Sequence, residues 1–95
     1  MNKYEALYII TPQLEEDAVK ATVEKFSGIV AANGGQAESV DEWGKRKLAY
    51  AIDYKTEGYY VLMTFEGSPE LPRELERNFK NDESILRYLV TRKEA

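Results

Sequence analysis

Apolar residues recur along this chain at two spacings: alternate positions in some stretches, every third or fourth position in others. Residues 3–10 alternate, with Tyr4, Ala6, Tyr8 and Ile10 on one side and Glu5, Leu7 and Ile9 on the other, which predicts a strand. Thr11-Pro12-Gln13 ends it, because proline cannot continue a hydrogen-bonded ladder. From about Leu14 or Glu15 to Ala32 the spacing becomes helical. Val19, Val23, Phe26 and Val30 form one stripe, and Glu15-Glu16-Asp17 suits the positive end of the helix dipole. Asn33-Gly34-Gly35 stops that helix. Gln36 to Ile52 reads as extended, with a bulge or bend at Gly44 and with Leu48, Tyr50 and Ile52 sharing a face. Residues 53–58 are expected to form a loop and Tyr59 to Glu66 a strand, so the two strands make a long hairpin. Ser68 as N-cap and Pro69 as first helical residue predict a second helix with the stripe Leu71, Leu75, Phe79. Asn81-Asp82-Glu83-Ser84 ends it, and Ile85 to Arg92 is the last strand.

The order β-α-β-β-α-β predicts an α+β, ferredoxin-like fold in one domain, residues 1–95: a four-stranded antiparallel sheet with both helices on one face. The other face then meets solvent or a partner. If Tyr4, Ala6, Tyr8, Val61, Met63, Phe65, Tyr88 and Val90 point to the helices, then Leu7, Ile9, Tyr60, Leu62 and Leu89 point away. A contiguous apolar patch of that kind marks an interaction surface. The competing view puts some of these residues at strand ends or under loops.

Composition narrows the chemistry. In 95 residues, 43% hydrophobic, no apolar run approaches the ~18–20 residues of a membrane span, so no membrane partner is expected. The first residues lead directly into a strand, so no signal peptide is expected and a cytoplasmic location is. There is no cysteine and no histidine, which removes thiolate nucleophiles, Cys-based zinc sites and the side chain best suited to proton transfer near neutrality. No cofactor, metal spacing or small-molecule substrate is indicated. The net charge of −4, from 17 acidic and 13 basic residues, runs against nucleic-acid binding in total, but the charges are segregated. Lys45-Arg46-Lys47 form an unbroken triplet, and Arg87, Arg92 and Lys93 form a second basic group.

Trp43 and Tyr50 flank the triplet, with Tyr54, Lys55 and Tyr59 close in sequence. Cations for phosphates beside rings that stack on unpaired bases are the chemistry of RNA surfaces. The same residues also fit a charged strand end whose Trp43 and Tyr50 are core. Strand alternation sends Lys45 and Lys47 to one side and Arg46 to the other. Asp41-Glu42 is a carboxylate pair, but adjacent strand residues face opposite ways, and Gly34-Gly35 follows a helix rather than opening one, so no phosphate loop is formed. Leu7-Tyr8-Ile9 and Gly58-Tyr59-Tyr60-Val61 partly match the two motifs of the RNA recognition motif, which shares this topology. That alternative needs Tyr8 and Tyr59 on the helix-free face.

The chain resembles one known family over essentially its whole length: the sixth small-subunit ribosomal protein of bacteria. The resemblance rests on Lys3-Tyr4-Glu5, Gly34, the run Glu42-Trp43-Gly44-Lys45-Arg46-Lys47-Leu48-Ala49-Tyr50, Gly58-Tyr59 and Arg87. Ala51 stands where the family often has proline, and the acidic tail of some members is not expected beyond Ala95. The resemblance implies a non-catalytic constituent of the small ribosomal subunit. It would bind the central domain of small-subunit ribosomal RNA together with the eighteenth small-subunit protein, a basic partner that would help neutralise phosphate. RNA contact is then expected from Lys3, Tyr4, Lys45, Arg46, Lys47, Tyr50, Arg87, Arg92 and Lys93, and partner contact from Leu7, Ile9, Tyr60, Leu62 and Leu89. Two other classes use this topology, a ligand-sensing module and a small phosphatase-like enzyme. The enzyme would need a phosphate-cradling loop after the first strand, and Thr11-Pro12-Gln13 does not resemble one.

Overall fold

The computed structural model of the chain describes residues 2–52 and 55–93, and of residues 49–52 the backbone alone. The elements run β1 (Asn2–Ile10), α1 (Glu16–Ala32), β2 (Gln36–Ile52), β3 (Lys55–Gly67), α2 (Leu71–Lys80) and β4 (Ile85–Arg92). The sheet has four strands in the order β2-β3-β1-β4, every neighbouring pair antiparallel. This is the ferredoxin-like arrangement that the alternating pattern predicts.

The period-two pattern decides which residues enter the core. Tyr4, Ala6 and Tyr8 sit opposite Phe65, Met63 and Val61 on β3, and all six are buried. The helices close over them with their two stripes, Val19, Val23, Phe26 and Val30 from α1 and Leu71, Leu75 and Phe79 from α2. At the centre the rings of Tyr8, Phe26, Phe79 and Tyr88 pack with centroids 4.3–5.4 Å apart. Such offset aromatic contacts add to the energy of burial itself.

Two boundaries differ from the expectation by more than about one residue. The second helix begins at Leu71, with Glu70 rather than Ser68 as its N-cap. Pro69 instead lies in a turn closed by the Leu71 N–H donating to the Ser68 carbonyl at 3.1 Å. Pro72 then falls in the first helical turn, where a missing N–H leaves no bond unmade. The third strand begins at Lys55, not Tyr59. Residues 55–58 carry no apolar alternation, but Gly58 and Glu57 pair with Arg46 and Lys47, so backbone pairing extends the strand where side chains give no signal.

Gly58 is buried, and a Cβ there would run into the Ile9 side chain and close on the Ile10 carbonyl. That contact explains why a glycine precedes Tyr59. Gly58→Ala is expected to destabilise the fold by roughly 1–3 kcal/mol through overpacking, measured as a lower urea midpoint. An unchanged midpoint would mean that Ile9 is free to move aside. A second test concerns the tie between α1 and the turn after α2, where the Lys25 ammonium bonds the Asp82 carboxylate at 2.7 Å. Burial pushes the Asp82 carboxyl up, but the Lys25 hydrogen bond and the Ser84 N–H outweigh it and hold the group below its ordinary value. The unfolded chain therefore binds that proton more readily. The stabilisation is complete above the ordinary aspartate value of about 3.9 and is lost as pH falls through the lower folded value. Lys25→Met, which keeps the stem, should cost about 0.5–1 kcal/mol near neutral pH and nothing once Asp82 is protonated. A cost that persisted in acid would assign the effect to packing instead.

Candidate functional site

Both helices lie on one side, so the odd-numbered residues of β1 and even-numbered residues of β3 face the other. Register aligns them in rows. Leu89, Leu7 and Leu62 lie across β4, β1 and β3, and Arg87, Ile9 and Tyr60 form the next row. Leu89 is 60% exposed, whereas Ile9, in the middle of its row, is only 8% exposed. Leu7, Ile9, Arg87 and Leu89 also line a shallow, mostly apolar cleft.

The edge strand β2 has a less regular pattern. Its register with β3 shifts between Ala37 and Ser39 and again between Glu42 and Gly44. Each extra residue exchanges the two faces up to the next shift, the last falling between Lys47 and Ile52. After the second shift Gly44 sits opposite Tyr60 and Arg46 opposite Gly58, on the helix-free face, while Lys45 sits opposite Tyr59 and Lys47 opposite Glu57, on the helix side. Gly44 supports this bulge with φ +83°, a conformation that costs any other L-residue strain.

The bulge also brings Trp43 and Arg46, three residues apart, onto the same side. Trp43 is 38% exposed, and its ring stacks on Tyr60, with centroids 6.2 Å apart and planes 9° from parallel. The Arg46 guanidinium lies 5.7 Å from the centre of the Trp43 ring, and its Nε–H donates to the Trp43 carbonyl at 3.3 Å. The indole N–H donates to Asp41 Oδ2 at 3.1 Å. The Lys45 ammonium lies 5.5 Å from the Tyr59 ring centre.

The nine basic and aromatic residues picked from the sequence therefore do not form one patch. Lys45, Arg46 and Lys47 lie at one end of the sheet, with the triplet divided between its faces, and Arg87 belongs to the row that contains Tyr60. Lys3, Arg92 and Lys93 lie at the other end: Lys3 is opposite Glu66 on β3, seven to nine residues along that strand from the partners of the triplet, or roughly 23–30 Å. There Lys3 pairs with Glu38 at 3.7 Å, the Lys93 N–H donates to the Lys3 carbonyl, and Arg92 donates to the Asn2 side chain. Tyr4 is core, its ring stacked on Phe65, and it reaches the sheet end only where its hydroxyl accepts from Asn2. The side chain of Tyr50 lies outside those described, as do those proposed to share its face at residues 49–52. Trp43 is not core. Its part in holding Arg46 was not legible, because residues three apart on an unbroken strand face opposite ways.

The alternative based on the RNA recognition motif fails on the same geometry. Tyr8 is completely buried under the helices, and Tyr59 packs against that core. Burial, and then the Glu42 carboxylate, push the Tyr8 phenol well above its ordinary value, so it stays neutral. Neither ring lies on the helix-free face that the motif requires. Among the described residues no group of side chains is arranged to hold a metal ion, and no helix is long and apolar enough to cross a membrane.

Comparison with known proteins agrees with the resemblance seen in the sequence. The family model described as ribosomal protein S6 matches residues 3–92. Small ribosomal subunit protein bS6 of Clostridium novyi is 51% identical over 94 residues, covering 99% of each chain. The protein of that name from Caldanaerobacter subterraneus is 48% identical over 92 residues, covering 97% of each. The crystal structure of 30S ribosomal protein S6 from Thermotoga maritima superposes with a TM-score of 0.92 at 29% identity, over 97% of this chain and 87% of that one. These relatives are ribosomal proteins rather than enzymes, which removes the phosphatase-like alternative. With a match across nearly its full length in sequence and in fold, the chain belongs to the ribosomal protein S6 family of the small ribosomal subunit.

Proposed function

We propose that this chain holds part of the central domain of small-subunit ribosomal RNA in place, together with the eighteenth small-subunit protein, and that it acts by binding alone. The observation that carries this is the helix-free face. Its middle is apolar, through Leu7, Leu62 and Leu89, and it has arginines at its margins, Arg46 on β2 and Arg87 on β4. An apolar centre inside a charged rim is the anatomy of a protein–protein interface. The acidic total of the chain, −4, favours a basic protein as the occupant. Lys45 and Lys47, turned to the other side of the same hairpin, are then available to phosphates that the partner does not cover. Arg46 reaches the boundary between the two, and Lys3, Arg92 and Lys93 form a second, weaker cationic end.

Binding of a central-domain RNA fragment, with the basic partner present, should weaken as salt rises, because each phosphate contact releases counterions. Replacing both Arg46 and Lys47 with Ala should lower affinity at least about tenfold and flatten the salt slope by about 1–2 units. A salt-independent affinity, or a double variant that binds like the parent, would remove phosphate contact from this hairpin. Leu89→Asp should weaken association with the partner and leave the thermal midpoint nearly unchanged, since the side chain is exposed. Undiminished association would move the partner off this face.

A further inference from the structure

Trp43 is absent from the residues proposed to touch RNA, yet it makes more specific contacts than any member of the basic triplet. One face of its indole rests on Tyr60, and the Arg46 guanidinium lies over the ring. Its N–H is anchored on Asp41, and its own carbonyl takes the Arg46 Nε–H. The bulge at Glu42–Gly44 is what allows this, since it turns residues 43 and 46 to one side. Among the described residues Arg46 forms no ion pair with a carboxylate. A long exposed side chain that is stacked on a ring and bonded at Nε has lost most of its rotamer freedom before it binds anything. Its terminal nitrogens are then a fork prepared for an oxyanion.

We infer that Trp43 is a positioning residue for RNA binding: it holds the Arg46 guanidinium in the orientation that meets a phosphate of the ribosomal RNA. This rests on the proposal that Arg46 contacts phosphate. Trp43 acts through Arg46 and does not itself contact the RNA. The stack with Tyr60 keeps the indole plane fixed, and Asp41 fixes its rotation. Lys45 and Lys47 have no such support from Trp43, being on the other face.

The test is a double-mutant cycle on the full chain, using the central-domain RNA fragment with the basic partner present. Trp43→Leu should weaken RNA binding about two- to fivefold, the equivalent of one exposed cation–π contact. The same change in an Arg46→Ala background should have no further effect. Trp43→Tyr, which keeps a stacking face, should recover most of the affinity, which a folding defect would not allow. Trp43 is the only tryptophan, so its emission reports this stack directly, and Arg46→Ala should shift that emission in the free chain. Equal losses from Trp43→Leu in both backgrounds would mean that the indole touches RNA itself, and would overturn the inference. So would a loss of partner binding measured without RNA, which would assign the stack to the protein interface, or an unaltered emission in Arg46→Ala. If Arg46→Ala alone binds RNA like the parent, the phosphate contact fails and this inference fails with it. If Arg46→Ala weakens binding and Trp43→Leu does not, only the positioning role fails.

Discussion

Two helices can cover only one face of a four-stranded sheet, and in this chain the inner strands are apolar on both. On β1, Tyr4, Ala6, Tyr8 and Ile10 go under the helices, and that commits Leu7 and Ile9 to the opposite face. On β3, Val61, Met63 and Phe65 are buried and Tyr60 and Leu62 turn outward. The pleat allows no other outcome, because moving one residue to the core moves its neighbours away from it. The tight aromatic packing of Tyr8, Phe26, Phe79 and Tyr88 therefore fixes more than stability. It determines which leucines and which arginine of β4 a partner can meet.

The hairpin edge follows a different logic. Regular alternation would have continued through β2 with no break, and Trp43 and Arg46 would have faced apart. The second of three register shifts, supported by Gly44 at positive φ, resets which side is which before Arg46. The outcome is a division of one basic triplet between two faces, with an arginine beside the apolar surface and two lysines turned to the helix side. A chain with a net acidic charge can offer nucleic acid a local cationic edge in this way while its remaining surface suits a basic partner.

Much of this was legible from residue order alone. The stripes Val19–Val30 and Leu71–Phe79, the alternation in residues 3–10 and the stop at Asn33-Gly34 gave the elements and their faces, because burial drives both periodicities. The outward set Leu7, Ile9, Tyr60, Leu62 and Leu89 followed from the same parity. The start of α2 was not legible, since Ser68-Pro69 has the chemistry of a helix start and only the seating of Leu71 shows the helix opening later. The polar start of β3 was hidden because backbone pairing leaves no mark on side-chain composition. Gly44 marked a bulge, but not which side chains the bulge would bring together. The separation of Lys3, Arg92 and Lys93 from the triplet was likewise a matter of strand direction, which a count of basic residues ignores.

The central claim is that the helix-free face is the surface the ribosome covers. Oxidative footprinting of the free chain, and of the chain bound to partner and RNA, tests it most directly. The account predicts protection at Tyr60, Leu7, Leu62 and Leu89 on assembly, with the exposed sides of α1 and α2 unchanged. Protection confined to the helices, with Leu62 and Leu89 as reactive in the complex as in the free chain, would contradict it.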